Sequence, residues 1–415
     1  MSKDVRQQSL HRLTAFLAGL VLLLTGCGAP NTSAISYNRT MQTKAQSLKV
    51  RSNRVIVKFR ASATDQQVKS VSRFVASSIP SLGISVLNVG TKDASSQLAA
   101  LASTGAVEYS EPDYVTKTQV VTNDPGLGHQ YGHRAINVSR AWDVTMGDPS
   151  VVVAVVDTGI DLTHPDLRDR LVSGVSFVQN TSGPMDDNGH GTHVAGIIAA
   201  TGNNGQGVVG VAPNCRLMPV KVLDTNGEGN TSDIVSGIVW AAEHGARVIN
   251  LSLGGGGGGK ALESAVAYAQ RKGCVVVAAM GNDGSNLQAY PASYPGVIAV
   301  GSVDEGDTRS DFSNFGRWIS VAAPGGEIYS TMPTYHTTLM DQDPGADIAY
   351  GTLSGTSMAT PYVAGLAALI CSANPRITPA AVKSQLERTA SDLQTPGYDS
   401  YTGYGRIDAA KALGR

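Results

Sequence analysis

Five runs of this chain are nearly continuous in β-branched and small apolar residues: "VVVAVV" (151–156), "RLMPVKVL" (216–223), "ARVINLSL" (246–253), "CVVVAAM" (274–280) and "VIAVGSV" (297–303). A strand with one wet face alternates apolar and polar residues. Strands that do not alternate are buried on both faces, as in parallel sheets. The segments between the runs carry helix signals. Ser232 to His244 has a polar start and a Gly245 stop, and Ala261 to Lys272 also reads as a helix. This alternation predicts an α/β domain, a parallel sheet with helices on both faces. Ligands of such sheets bind beyond the carboxyl ends of the strands, so candidate site residues are sought where the runs end.

The preceding sequence is different in kind. Lys3, Arg6 and Arg12 form a basic head before the apolar run Ala15 to Leu24, which is too short for a stable span. Leu24-Thr25-Gly26-Cys27 then resembles a bacterial lipobox, with Cys27 as the lipid-modified first residue. Residues 1–26 therefore read as a lipoprotein-type signal, and 27–50, rich in Ser, Thr, Asn and Gln, as a linker. Residues 51–117 read as a small α+β unit. Its strands are "NRVIVKFR", "ISVLNV" and "AVEYSEPDYV"; its helices are Ala63 to Ser77, with Val68, Val71, Phe74 and Val75 on one face, and Ala94 to Ser103. Residues 118–415 hold the α/β domain.

Lysine plus arginine total 32 against 33 acids, a net charge of -1, which gives no electrostatic ground for a nucleic-acid partner. Cys215, Cys274 and Cys371 lie in apolar settings and read as small buried hydrophobes.

At the strand ends stand Asp157-Thr158-Gly159, Gly281-Asn282-Asp283-Gly284 and the run "LSLGGGGGGK" (251–260). Two helix openings join them, "NGHGTHVAGIIAA" from Asn188 and "SGTSMATPYVAGLAALI" from Ser354. Singly they are ambiguous. "DTG" also presents the carboxylate of aspartic peptidases, but a two-lobed chain needs a second copy and there is none. His190 and His193 have a ligand-like spacing, yet no neighbouring residue completes a zinc set. The glycine run satisfies the first seven places of a P-loop, but Ala261 stands where Ser or Thr must hold magnesium.

Together, an acid, a histidine and a serine in that order, within "DTGI", "HGTHVAG" and "GTSMATPYVAG", resemble the subtilisin family of serine peptidases, closest to its thermitase-like branch. The resemblance covers about 123–413. It implies a subtilisin-like fold in which Ser357 is the nucleophile, His190 the base and Asp157 the group that fixes the imidazole. Asn282 and the Ser357 N–H would bind the oxyanion. Ser252, Leu253 and Gly254 would form one wall of a cleft, and Gly227, Glu228 and Gly229 the edge strand opposite. Gly254 and Gly255 would leave room for substrate backbone, and the remaining glycines would form a mobile loop. Ala278, Ala279, Gly281 and Ala289 would floor a pocket for apolar side chains, with Glu228 favouring a basic residue further from the cut.

The same resemblance implies a structural calcium ion. Its ligands would be the side chains of Asp124, Asp166 and Asn204 and the carbonyls of Thr201, Gln206 and Val208. Tyr362 replaces the family's usual histidine. The small domain becomes an inhibitor-type, ferredoxin-like propeptide, threading "EPDYVTKTQVV" into the cleft and cut between Val115 and Thr122. The expected partners are peptide substrates, the chain's own propeptide, and a membrane only through lipid on Cys27. The expected state is a monomer in the cell envelope or secreted. A catalytically silent, surface-tethered binding module is the rival reading.

Overall fold

The computed structural model describes residues 50–90, 92–114, 122–181 and 183–415. The expected signal, Cys27, nearly all of the linker and the expected cleavage stretch lie outside the described residues. The chain divides into two compact units, Met1–Thr118 and Gln119–Arg415.

The first unit is an antiparallel sheet of β1 (Val50–Phe59), β2 (Val75–Ile79), β3 (Ile84–Asn88) and β4 (Val107–Tyr114), in the order β2-β3-β1-β4. Helices Asp65–Ser70 and Lys92–Ser103 follow β1 and β3. This β-α-β-β-α-β succession is the ferredoxin-like arrangement the sequence implied. Period-two alternation puts Val55 and Val57 into a small core with Val71, Leu87, Leu98, Leu101 and Val107. The expected helix Ala63–Ser77 needs correction. A capping box between Thr64 and Gln67 starts it, but it ends at Ser70, passes through a short 3₁₀ turn, and from Val75 the chain is strand β2. Val68 and Val75, expected on its apolar face, are exposed. Pairing with β3 overrides the local periodicity.

The second unit carries a seven-stranded parallel sheet in the order β11-β10-β9-β8-β5-β7-β6. Its strands are β5 (Val152–Asp157), β6 (Val175–Ser176), β7 (Arg216–Lys221), β8 (Ala246–Leu251), β9 (Val275–Ala279), β10 (Ile298–Val303) and β11 (Val321–Pro324). All five apolar runs became strands. The two edge strands, β6 and β11, are too short to stand out in sequence. β5 shows why its run does not alternate. Val153 and Val155 face one core with helices His190–Ala199 and Thr356–Ala373, while Ala154 and Val156 face the other with helices Thr231–Glu243 and Lys260–Arg271. Each fully buried valine contributes about 1.5–3 kcal/mol. The Thr356 helix is apolar all round because it is enclosed on nearly every side. An antiparallel pair, β12 (Ile328–Thr331) and β13 (Tyr350–Leu353), delivers the chain to its start. Cys215, Cys274 and Cys371 are free and buried.

Candidate active site

Asp157 is the last residue of central strand β5 and is fully buried. Its Oδ1 accepts from the Thr158 N–H at 2.7 Å and from His190 Nδ1 at 2.7 Å. A carboxylate can only accept, so the shared proton sits on Nδ1 and the neutral ring presents Nε2 as an acceptor. Asp157 Oδ2 is buried with no hydrogen-bond partner among the described residues. His190 opens its helix after Gly189, whose φ of 118° suits glycine. Burial lowers the imidazole pKa, but the Asp157 charge, the hydrogen bond to it and the Asp186 charge outweigh that, and the net shift is upward. His193, one turn on, is buried and donates from Nε2 to the Ile328 carbonyl at 2.9 Å, the part of a packed histidine.

Ser357 is the second residue of its helix, where backbone N–H groups have no intrahelical acceptor. This helix packs against the His190 helix. The Ser357 hydroxyl donates to the Ser252 carbonyl at 3.1 Å, and the Ser252 hydroxyl donates back to the Ser357 carbonyl at 2.8 Å. No hydrogen bond joins Ser357 to His190; the hydroxyl takes the Ser252 acceptor instead. Asn282 follows β9. Its Oδ1 accepts from both the N–H and the hydroxyl of Thr356, at 2.8 Å each, which turns its Nδ2 donor outward. A Cβ added to Gly355 would lie 3.3 Å from Asn282 Nδ2 and 3.6 Å from Ser357 N, so the two donors converge over Gly355.

A buried carboxylate on an imidazole, a serine at the start of the helix packed against it, and two N–H donors near Gly355 are the components acyl transfer uses. Known proteins agree with this. The model of the subtilase family matches residues 148–405. The chain belongs to the subtilase family. It is 43% identical over 366 residues to the thermophilic serine proteinase of Bacillus sp. strain AK1, covering 86% of each chain. It is 44% identical to thermitase of Thermoactinomyces vulgaris, covering 70% of this chain and 98% of that one. Among solved structures, one of the proteases from Pseudoalteromonas arctica matches with a TM-score of 0.65 at 36% identity, over 71% of this chain and 99% of that one. Residues 38–113 match the fervidolysin N-terminal prodomain. This subtilase is a serine endopeptidase made with a prodomain.

The cleft walls depart from expectation in detail. Gly227, with φ 77°, lies in a turn, not a strand. The Asp224 carboxylate accepts from the N–H groups of Asn226 and Glu228 and holds that turn, leaving Glu228 exposed. A Cβ on Gly229 would meet the Val222 carbonyl at 2.3 Å. Across the site, Leu253 is half-buried, and a Cβ on Gly254 would come within 3.2 Å of the Tyr290 carbonyl. Gly255 pairs with Tyr290 in an antiparallel bridge, and a Cβ on it would meet nothing, so no contact within the chain requires glycine there. The run is not free along its length. Gly258 lies against the Tyr290 ring, and the Tyr294 hydroxyl bonds both the N–H and the carbonyl of Gly259. Gly281 and Ala289 face each other, 3.7 Å from added Cβ to Cβ, and Ala279 is buried at the end of β9. Ala278 is not pocket floor: it packs into the core with Val276 and Met280.

Asp124 and Asp166, two of the calcium candidates, both bond to the loop 203–208. Asp124 and Asp166 are both buried. Asp124 accepts from the Asn203 and Asn204 N–H groups. Asp166 accepts from Asn204 Nδ2, the Val208 N–H and the Tyr350 hydroxyl. Of the carbonyls of 200–209, those of Ala200, Gly207 and Val209 accept hydrogen bonds from Gly210, Gly126 and Gln130, while the other seven, those of Thr201, Gln206 and Val208 among them, accept none among the described residues. Asn204 departs from the expected ligand pose: it gives Nδ2 to Asp166 while its Oδ1 accepts from the Gln206 N–H, so its amide would have to turn to offer oxygen to a hard cation.

Sequence reasoning missed four residues. Asn314 donates to the Met280 carbonyl and accepts from the Asp283 and Ser285 N–H groups, fixing the turn that carries Asn282. Lys221 is fully buried beside Asp157 in the sheet register and donates to the carbonyls of Thr158 and Leu223 and to Asp187. A lysine inside an apolar strand run was the available signal. Thr158 and Asp186, also missed, bond each other behind Asp157.

Proposed function

We propose that this subtilase hydrolyses peptide bonds through Asp157, His190 and Ser357. As Ser357 Oγ attacks the scissile carbonyl, His190 Nε2 takes its proton and then delivers it to the leaving amine. Asp157 holds the tautomer and stabilises the imidazolium. Asn282 Nδ2 and the Ser357 N–H receive the negative charge that develops on the carbonyl oxygen, aided by the positive end of the Thr356 helix. A water then attacks the acyl-enzyme by the same route in reverse. For this the Ser357 hydroxyl must exchange the Ser252 carbonyl for His190, an adjustment common between free and substrate-bound sites.

The small, uncharged lining at Ala279, Gly281 and Ala289 supports a preference for apolar side chains before the cut. Exposed Glu228 supports a mild preference for a basic residue further away. The prodomain match supports self-processing, with the first unit as intramolecular inhibitor and the cut between Val115 and Thr122. Lipid on Cys27 of an exported precursor would tether that first unit. Asp124, Asp166, Asn204 and the carbonyls of Thr201, Gln206 and Val208 would hold a calcium ion, which when bound ties loop 201–208 to the carboxylates and stabilises the fold. The carrying observation is the 2.7 Å bond between His190 and Asp157. The test is labelling by a fluorophosphonate probe. Ser357→Ala should take no label and persist as uncut precursor; a folded wild type that takes no label sinks the proposal.

A further inference from the structure

The bond between Asp157 and His190 joins two separate pieces of chain, a strand end and a helix start, and something must fix one against the other. The carboxylate of Asp186 touches both. Its Oδ1 accepts from the Thr158 hydroxyl at 2.9 Å and from the N–H groups of Asn188 and Gly189 at 3.1 and 2.9 Å. Its Oδ2 accepts from the Thr192 N–H at 2.9 Å and the Thr192 hydroxyl at 2.6 Å. Thr158 Oγ1 in turn accepts from the Gly191 N–H at 2.9 Å. Asp186 is fully buried, and the Tyr335 hydroxyl holds its carbonyl at 2.6 Å.

We infer that Asp186 is a positioning residue: its carboxylate clamps the turn after Asp157 to the first turn of the His190 helix, setting the imidazole on Asp157. This rests on the proposed triad. One carboxylate saturated by five donors, with no exposed surface, is a rigid brace, and misplacing a catalytic group by about 1 Å costs about 100-fold in rate. The charged and titratable groups around this junction are Asp157 on β5, Lys221 on β7 (bonded to Thr158 and Asp187), Asp161, whose N–H bonds the Thr192 hydroxyl, Tyr335, His193 on the same helix, and Asp186 itself, whose carboxyl burial shifts upward. Of these, Asp186 is the second negative charge that raises the His190 pKa.

Two variants separate the roles of brace and charge, measured as kcat and KM for a chromogenic peptide across the acid and neutral range. Asp186→Asn keeps size but loses the charge and an acceptor. It should lower kcat about 100-fold with KM little changed. Its acid limb should move to lower pH, because a neutral neighbour no longer favours the imidazolium. Thr158→Val cuts the ties to Asp186 and to the Gly191 N–H and keeps the charge. It should lower kcat about tenfold and leave the acid limb in place. Wild-type kcat in folded Asp186→Asn, or a rate loss with an unmoved acid limb, overturns the inference. If Asp186→Asn does not fold, Thr158→Val decides, and wild-type kcat there overturns it. Asp157→Asn and Ser357→Ala are run alongside. If they stay active the triad reading fails; if they are inactive while both brace variants behave as wild type, only this inference fails.

Discussion

Gly355→Ala is the sharpest perturbation of the proposed oxyanion site, because it removes neither donor yet sets a methyl against both, at a φ of 158° that favours glycine. The oxyanion needs to sit about 2.7–3.1 Å from each donor. The new methyl would stand 3.3 Å from Asn282 Nδ2 and 3.6 Å from Ser357 N. Contacts to carbon favour separations of about 3.5–4.0 Å, so the methyl displaces the Asn282 amide from its place beside Ser357 N. The substrate oxygen must then forfeit at least one donor. Removing one such donor from subtilisin, a relative, costs about 100- to 1,000-fold in kcat, or about 2.7–4 kcal/mol. The assay is kcat for a chromogenic peptide, with thermal unfolding measured separately so that loss of fold is not counted as loss of catalysis. A folded variant whose kcat stays within about threefold of wild type, a change under 1 kcal/mol, refutes the reasoning.

Asp157→Asn should lower kcat about 10,000-fold, since an amide no longer dictates the imidazole tautomer. The Asp157 charge helps raise the His190 pKa, so residual activity, which needs the neutral ring, should persist to lower pH than in wild type; a limb that does not move counts against the assignment. Chelating calcium from the Ser357→Ala protein should lower Tm by about 3–4 °C if the ion was present at about 100 times its Kd. Asp166→Asn should lose that response, and equal Tm with and without chelator excludes the site. His133 is buried between the Trp142 and Tyr362 rings, and burial lowers its pKa to about 4 from an ordinary 6.5. The unfolded chain therefore takes up a proton below about pH 6.5 that the fold refuses until about pH 4. Stability should fall by about 3 kcal/mol over that window, and His133→Leu should flatten the slope in denaturant titrations.

The central strands were legible because burial on both faces leaves a continuous apolar run, and the residues at their ends were legible because function sits there. Asp157, His190, Asn282 and Ser357 came from the sequence, and the structure brings Asp157 to His190 and Asn282 to the start of the Ser357 helix. Strand β2 was not legible. Its residues Val75–Ile79 are all exposed on an edge of the sheet, so no burial pattern marks them, and Val75 continued a helical period by chance. Asp186 was visible in "MDDNGHG" but meaningless there. Its partners are mostly backbone N–H groups, which sequence does not display. The Ser252–Ser357 exchange of hydrogen bonds depends on two elements 105 residues apart, and nothing local announces it.

The six glycines can be understood from how they are suspended. Gly255 is fastened to Tyr290, Gly258 and Gly259 to Tyr290 and Tyr294, and added Cβ atoms at Gly256 and Gly257 would touch nothing. The run therefore hangs like a cable between two tyrosine posts, its middle touching nothing. If peptides lie along that rim, as proposed, side chains of different girth would meet no wall there, and choice of guest would be kept apart from the serine carbonyl at 252 and the sheet beneath it.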